Sequence, residues 1–224
     1  MLTMRRLTKI DIVKQFSVII FFIITSLFIF SPVLKGQKIL QNDIVQYSGM
    51  SKELKDFRDK NDKETYWVNN AFSGMPTYQL GAKYPHNYIK QLDLLIRFLP
   101  RPSDYLFLYF LGFYFLMLSL KVEYRLAVLG ALSFGLSTYL IIIIGAGHNA
   151  KAHAISYMPF VLGSIIYVVR KKYLIGFFLT TIFLGLQLTS NHFQMTYYLM
   201  FIVIIMAIWF IINCIKEKDF NHLK

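Results

Sequence analysis

The chain carries a single cysteine, Cys214, among its 224 residues, which excludes an intrachain disulfide and any cysteine-based metal site. Acidic residues are scarce, 12 against 24 basic, for a net charge of +12. The glycines build no phosphate-cradling loop and no serine sits in a nucleophile elbow, so soluble-enzyme chemistry of those kinds is not encoded. Internal repeats, low-complexity tracts and a soluble second domain are absent as well.

What is present is oil. Hydrophobic residues make up 56% and aromatics 17% of the chain, and the mean hydropathy is +0.48. That composition reads as an all-α polytopic membrane protein, one transmembrane domain over residues 1–224. A spanning helix needs ~20 apolar residues. Six runs approach this: Phe16 to Leu34, Asp104 to Leu120, Leu126 to Gly145, Ala154 to Val169, Tyr173 to Leu188 and Thr196 to Cys214. The fourth is short and is expected to continue back into the polar turn before it. The first follows a basic stretch but has no small-x-small cleavage site near Ser31 to Gly36, which predicts a retained signal anchor.

Charge sets the expected orientation. Outside the 35–103 loop, the basic residues from Arg5 to Lys14, Lys121, Arg125, Arg170 to Lys172, Lys216, Lys218 and Lys224 fall on one side, with only Lys151 on the other. The positive-inside rule puts both termini in the cytoplasm. The basic residues of the 35–103 loop do not oppose this, because loops longer than ~60 residues translocate largely regardless of charge. This distribution assigns the positive charge to topology and argues against nucleic acid as a partner.

The long loop has helical periodicity of its own. Ile44, Tyr47, Met50, Leu54 and Phe57 predict one amphipathic helix. A second is expected from Asn87 to Leu99, with Tyr88, Leu92, Leu95, Ile96 and Leu99 as its apolar stripe and Lys90, Asp93 and Arg97 opposite. Stopped by Pro100 and Pro102 just before a span, it is placed flat in the membrane interface or against the loop's own layer. Between them, Tyr66 to Gly81 is rich in aromatics, suited to the membrane surface or to stacking on a ligand ring.

Three polar elements share one expected face: the loop and the turns Gly147 to His153 and Thr189 to Gln194. Polar and ionisable side chains at membrane depth are costly, so such clusters are site hypotheses. Asp43 offers a carboxylate that could deprotonate an acceptor hydroxyl or hold a divalent metal. With Gln46 three residues on, it equally fits a helix N-cap. His148, Asn149, Lys151 and His153 offer one point charge and tunable donors for a phosphate. Asn191, His192 and Gln194 line the other turn, where Gln187 is read as glue between helices. Two histidine-bearing turns with Asp43 would also make a His/His/Asp metal site, although no recognised ligand spacing is present.

Taken together, Gln41 to Tyr47, Trp67 to Tyr78, Arg97 to Pro102, Gly147 to His153 and Asn191 to Tyr198 resemble bacterial YfhO-like membrane proteins, which are grouped with the GT-C class of glycosyltransferases. The resemblance covers this chain and the N-terminal part of such proteins. It implies transfer of a sugar from a polyprenyl-phosphate carrier to a cell-envelope acceptor at the outer face of the bacterial cytoplasmic membrane, with lipids as surroundings. It also implies that Asp43 matches the class's early-loop acidic residue, serving as base or metal ligand. The paired acidic motif of the class is single here, because Asn42 precedes Asp43. The alternative is a non-catalytic transporter or envelope assembly factor whose polar turns line a headgroup cavity. A transporter is expected to carry broken helices or polar positions near midplane.

Overall fold

The computed structural model describes residues 9–218, and the expected basic residues Arg5, Arg6 and Lys224 lie outside them. It is mostly helical: α1 (Lys9–Ile29), α2 (Asn42–Met50), α3 (Lys52–Asn61), α4 (Tyr88–Ile96), α5 (Ser103–Ser119), α6 (Tyr124–Gly135), α7 (Thr138–Ala146), α8 (Asn149–Val169), α9 (Tyr173–Thr189) and α10 (Phe193–Lys216). A two-residue hairpin, β1 (Trp67–Val68) with β2 (Met75–Pro76), pairs Trp67 with Pro76 and Val68 with Met75.

Three helices, α1, α8 and α10, are long and apolar enough to cross a membrane. The expected third span is a correction: α6 and α7 are separate helices bent by 47°, which count as a fourth crossing only if taken as one broken span. The break has a local cause. Gly135 and Ser137 are weak helix formers, Ser137 is extended, and Gly135 packs so closely on α5 that a Cβ would sit 2.6 Å from the Phe110 ring. The apolar helices α5 and α9 have 17 residues each. That is about 25 Å at ~1.5 Å per residue, short of a ~30 Å hydrocarbon layer. α8 runs from Asn149, so the fourth run does extend through its polar turn.

α5 is the hub, buried along most of its length between α1, α6 and α8, while α9 packs on α8. Phe22 of α1 meets Phe110 and Tyr114 of α5 at 5.4 and 5.6 Å between ring centroids. The outer faces of α1, α9 and α10 present Phe16, Phe28, Phe177, Ile205 and Trp209, an apolar band suited to lipid. Tight turns at Lys121 and Lys171, both with positive φ, reverse the chain at the basic end, and the Glu123 carboxylate caps α6 by accepting from the Arg125 N–H at 2.9 Å.

The α5–α8 crossing is close enough to give a prediction. A Cβ on Gly112 would lie 2.7 Å from the Ser156 carbonyl oxygen, whereas Gly145 faces open space. Gly112→Ala is expected to destabilise by about 1–3 kcal/mol through overpacking. Gly145→Ala is expected to be neutral or slightly stabilising by helix propensity. Thermal melts in detergent compare the two, and equal melting would contradict the close crossing.

The loop forms a layer over one end of the bundle. Its predicted first helix is two, α2 and α3, divided at Ser51. Leu54, Val68 and Leu80 are its small core, packed by Tyr47, Met50 and Met75. Glu53 accepts from the backbone N–H groups of Asn69 (2.9 Å) and Asn70 (2.8 Å), and Arg58 grips Glu64 through two hydrogen bonds of 2.9 and 2.7 Å. Trp67 is spent on the hairpin: its ring covers Gly74 and its Nε1–H donates to Asn69. Tyr66 stacks on Tyr84.

α4 keeps Leu92 and Ile96 of the expected apolar stripe inward, with Leu99 buried just beyond its end, but differs at its other positions. Asn87 caps it, accepting from the Lys90 N–H at 3.0 Å, and Ile89, Leu92 and Ile96 pack on Leu108, Tyr157, Phe160 and Leu186. Asp93 and Arg97, assigned by periodicity to the outer face, are buried, while Tyr88 and Leu95 from the predicted apolar stripe are 68% and 73% exposed. A stripe read from spacing alone cannot anticipate that a helix lying on a bundle finds charged partners beneath it.

Candidate functional site

The site begins at the loop's return to the bundle. α7 ends in Gly147, whose φ of +94° favours glycine, and a Cβ there would lie 2.8 Å from Gln41. This bare position lets the start of α2 settle on the turn. Gln41 then donates from Nε2 to the Ile144 carbonyl at 2.5 Å, and Asp43 Oδ2 meets His148 Nδ1 at 2.5 Å. The N-cap of α2 is Gln41, so Asp43 lies inside the first turn, and the expected capping role falls away in favour of the imidazole contact. Both side chains are about half exposed, 42% for Asp43 and 50% for His148, open to a substrate.

The second turn joins from α10. Burial lowers the His192 imidazole's pKa; its own backbone hydrogen bond opposes this, and the charges of Lys151 and His148 add to the lowering. Lys151 follows His148 by three residues, one turn on at the start of α8. Lys151 Nζ also lies 5.2 Å from the centre of the Tyr139 ring on α7. Asn149 Oδ1 and His192 Nδ1, one in each polar turn, are buried without a hydrogen-bond partner among the described residues. Such atoms are expected to be satisfied by water or ligand.

The other expected residues are placed differently. Asn191, with φ of +57°, donates from Nδ2 to the Tyr78 carbonyl at 3.1 Å, tying the outer turn to the loop layer. Gln194 is exposed and donates to Tyr198 one turn on, at 2.8 Å. Gln187 is buried against Thr196 at 3.1 Å, joining α9 to α10 as expected of helix glue. His153, four residues after Asn149 on α8, is buried and its Nε2 meets Asp93 Oδ1 at 2.5 Å.

That contact opens a second constellation that sequence reasoning missed. Asp93 also accepts from Arg97 (Nε to Oδ1, 3.1 Å; Nη2 to Oδ2, 2.9 Å), from the Tyr157 hydroxyl (3.1 Å) and from Lys90 (3.2 Å). Arg97 Nη1 reaches Asp104 Oδ2 at 2.8 Å. Burial raises the Asp93 pKa, but hydrogen bonds from His153 and Arg97 override it and hold the carboxyl well below the usual range. The network clamps α4 onto α5 and α8. Asp93 and Arg97 four residues apart, followed by an aspartate at the mouth of an apolar helix, were the available signal.

Among the described residues no three histidine, cysteine or acidic side chains gather as a metal set. Asp43 and His148 give two donors and His192 does not complete them, so the His/His/Asp expectation is corrected and no step is routed through a metal. Comparison with protein-family models, with curated proteins and with solved structures returns no match.

Proposed function

We propose that the chain is a membrane glycosyltransferase, moving a sugar from a polyprenyl-phosphate carrier to a hydroxyl acceptor of the cell envelope at the outer face of the cytoplasmic membrane, with both termini inside. This reading takes α5, α9 and the bent α6–α7 pair as crossings alongside α1, α8 and α10, giving six. One observation carries it: an aspartate and a histidine 105 positions apart are in contact and half exposed, with Lys151 three residues beyond the histidine. A carboxylate holding the Nδ1–H of His148 leaves Nε2 as the acceptor for a proton. The acceptor oxygen attacks the anomeric carbon, the carbon–oxygen bond to the carrier phosphate breaks, and the Asp43–His148 pair takes the hydroxyl proton. Lys151 offsets the charge left on the carrier phosphate and His192, whose cationic form burial disfavours, donates a hydrogen bond to it, with Asn149, Asn191 and Gln194 as polar lining. His153 is committed to Asp93 and has no part in this step.

The test is transfer from a panel of polyprenyl-phosphate sugars by the full chain in proteoliposomes, parent against Asp43→Asn. Loss of product in the variant supports the assignment, and equal turnover removes Asp43 from it. A second reading, a transporter, is favoured by the broken α6–α7 pair, because irregular backbone inside a bundle often lines a solute path. Substrate uptake without any covalent product in the same liposomes would establish that reading instead.

A further inference from the structure

At the basic end of the bundle, away from the Asp43 region, α1 and α6 part to form a groove of about 250 Å³. Its wall is apolar, with Val13 and Phe21 from α1 and Val128 from α6. Lys14 and Tyr124 line the same groove. Two cations gather on one ring there: Lys14 Nζ lies 5.7 Å from the Tyr124 centroid and the Arg125 guanidinium 5.6 Å from it, with Arg125 Nε donating to the tyrosine hydroxyl at 3.1 Å. Two acidic side chains are near in sequence: Asp11, one turn back on α1, and Glu123, whose carboxylate is committed to the α6 N-terminus.

We propose that this groove binds an anionic phospholipid, the phosphate seated between Lys14 and Arg125 and one acyl chain lying along Val13, Phe21 and Val128. The occupant follows from the surroundings. α1 has the length and apolarity of a membrane span, so what lies beside its outward face is lipid. From Lys14 to Phe21 the helix rises about 10 Å, which gives an acyl chain an apolar bed directly below the charged end. Paired cations at that level select a headgroup with net negative charge over a zwitterionic one, because juxtamembrane basic groups attract anionic lipid. This site is independent of the transfer chemistry at the opposite end.

The experiment is native mass spectrometry of the full chain in detergent, titrated with phosphatidylglycerol and with phosphatidylcholine of the same chain length. The parent is expected to retain phosphatidylglycerol about tenfold better. Lys14→Gln with Arg125→Gln is expected to bring retention down to the phosphatidylcholine level, while Lys14→Arg preserves the preference. Val128→Trp, which fills the groove, is expected to weaken both lipids. Soluble glycerol phosphate is expected not to compete, since it has no chain to occupy the bed. Equal retention of the two lipids by the parent would overturn the proposal before any variant is made. So would an unchanged preference in the double variant, or competition by glycerol phosphate, which would mean a headgroup contact without the groove. Melting of each variant in lipid-free detergent separates a lost site from a lost fold.

Discussion

Arg97→Ala is expected to destabilise the protein by about 3–5 kcal/mol, the largest effect of any single substitution considered. The Arg97 side chain is only 2% exposed and binds two carboxylate side chains that are themselves 0% and 1% exposed, Asp93 and Asp104. Removing it leaves Asp93 to His153, Tyr157 and Lys90, and leaves Asp104 to the Tyr105 backbone N–H and the more distant Arg101, with no guanidinium to balance the two buried carboxylates. A charge stripped of its partner in a dry site costs far more than the pair contributes. Replacing all three, Asp93→Leu, Arg97→Met and Asp104→Leu, is therefore expected to be milder than Arg97→Ala alone, because apolar groups of similar size need no counter-charge. Melting in detergent checks both. If Arg97→Ala melted with the parent, α4 would not be clamped by this network.

The same cluster predicts acid lability. Asp93 is held below its unfolded value of ~3.9, so its contribution is complete above about pH 4 and is lost as pH falls below that. The parent is expected to lose melting temperature on acidification below pH 4, and Asp93→Asn to lose less over the same interval. An identical acid profile in the two proteins would show that other carboxylates govern it.

Asp43→Asn is expected to reduce sugar transfer by about 10²- to 10⁴-fold, the usual scale of a positioned acid–base group. Because the side chain is 42% exposed, the fold should change by no more than about 0.5 kcal/mol, the range of surface substitutions. His148→Ala should produce a loss of similar size. If the two act as one proton acceptor, the double variant should be little worse than either single one. Multiplicative losses would separate them into independent roles, and full activity in Asp43→Asn would end the proposed mechanism. Melting both variants alongside the assay distinguishes chemistry from stability.

The legibility of these features differed residue by residue. The polar turns at 147–153 and 189–194 stood out because histidine, lysine and amides are costly among apolar runs, and His148 in the first of them does meet Asp43. His153 stood in the same run yet turns to Asp93 on α4, 60 positions away in sequence. Asp93 and Arg97 looked like a solvated face because periodicity reports which residues share a side and not what that side meets. The α6–α7 break was likewise hidden, since mostly apolar residues flank Gly135 to Ser137 on both sides with no proline to announce a bend.

The amino-acid order by itself determined an apolar helical chain, the approximate ends of its helices, the basic end, and the polar turns where chemistry would concentrate. Those properties are local, set by hydropathy, charge and capping within a few turns of chain. Only the tertiary structure decided which carboxylate meets which imidazole: Asp43 with His148, and Asp93 with His153 under Arg97. Such pairings join groups 60 to 105 residues apart, and they depend on helix packing and on a bare Gly147 that admits Gln41, none of which a residue's own neighbours in sequence can specify.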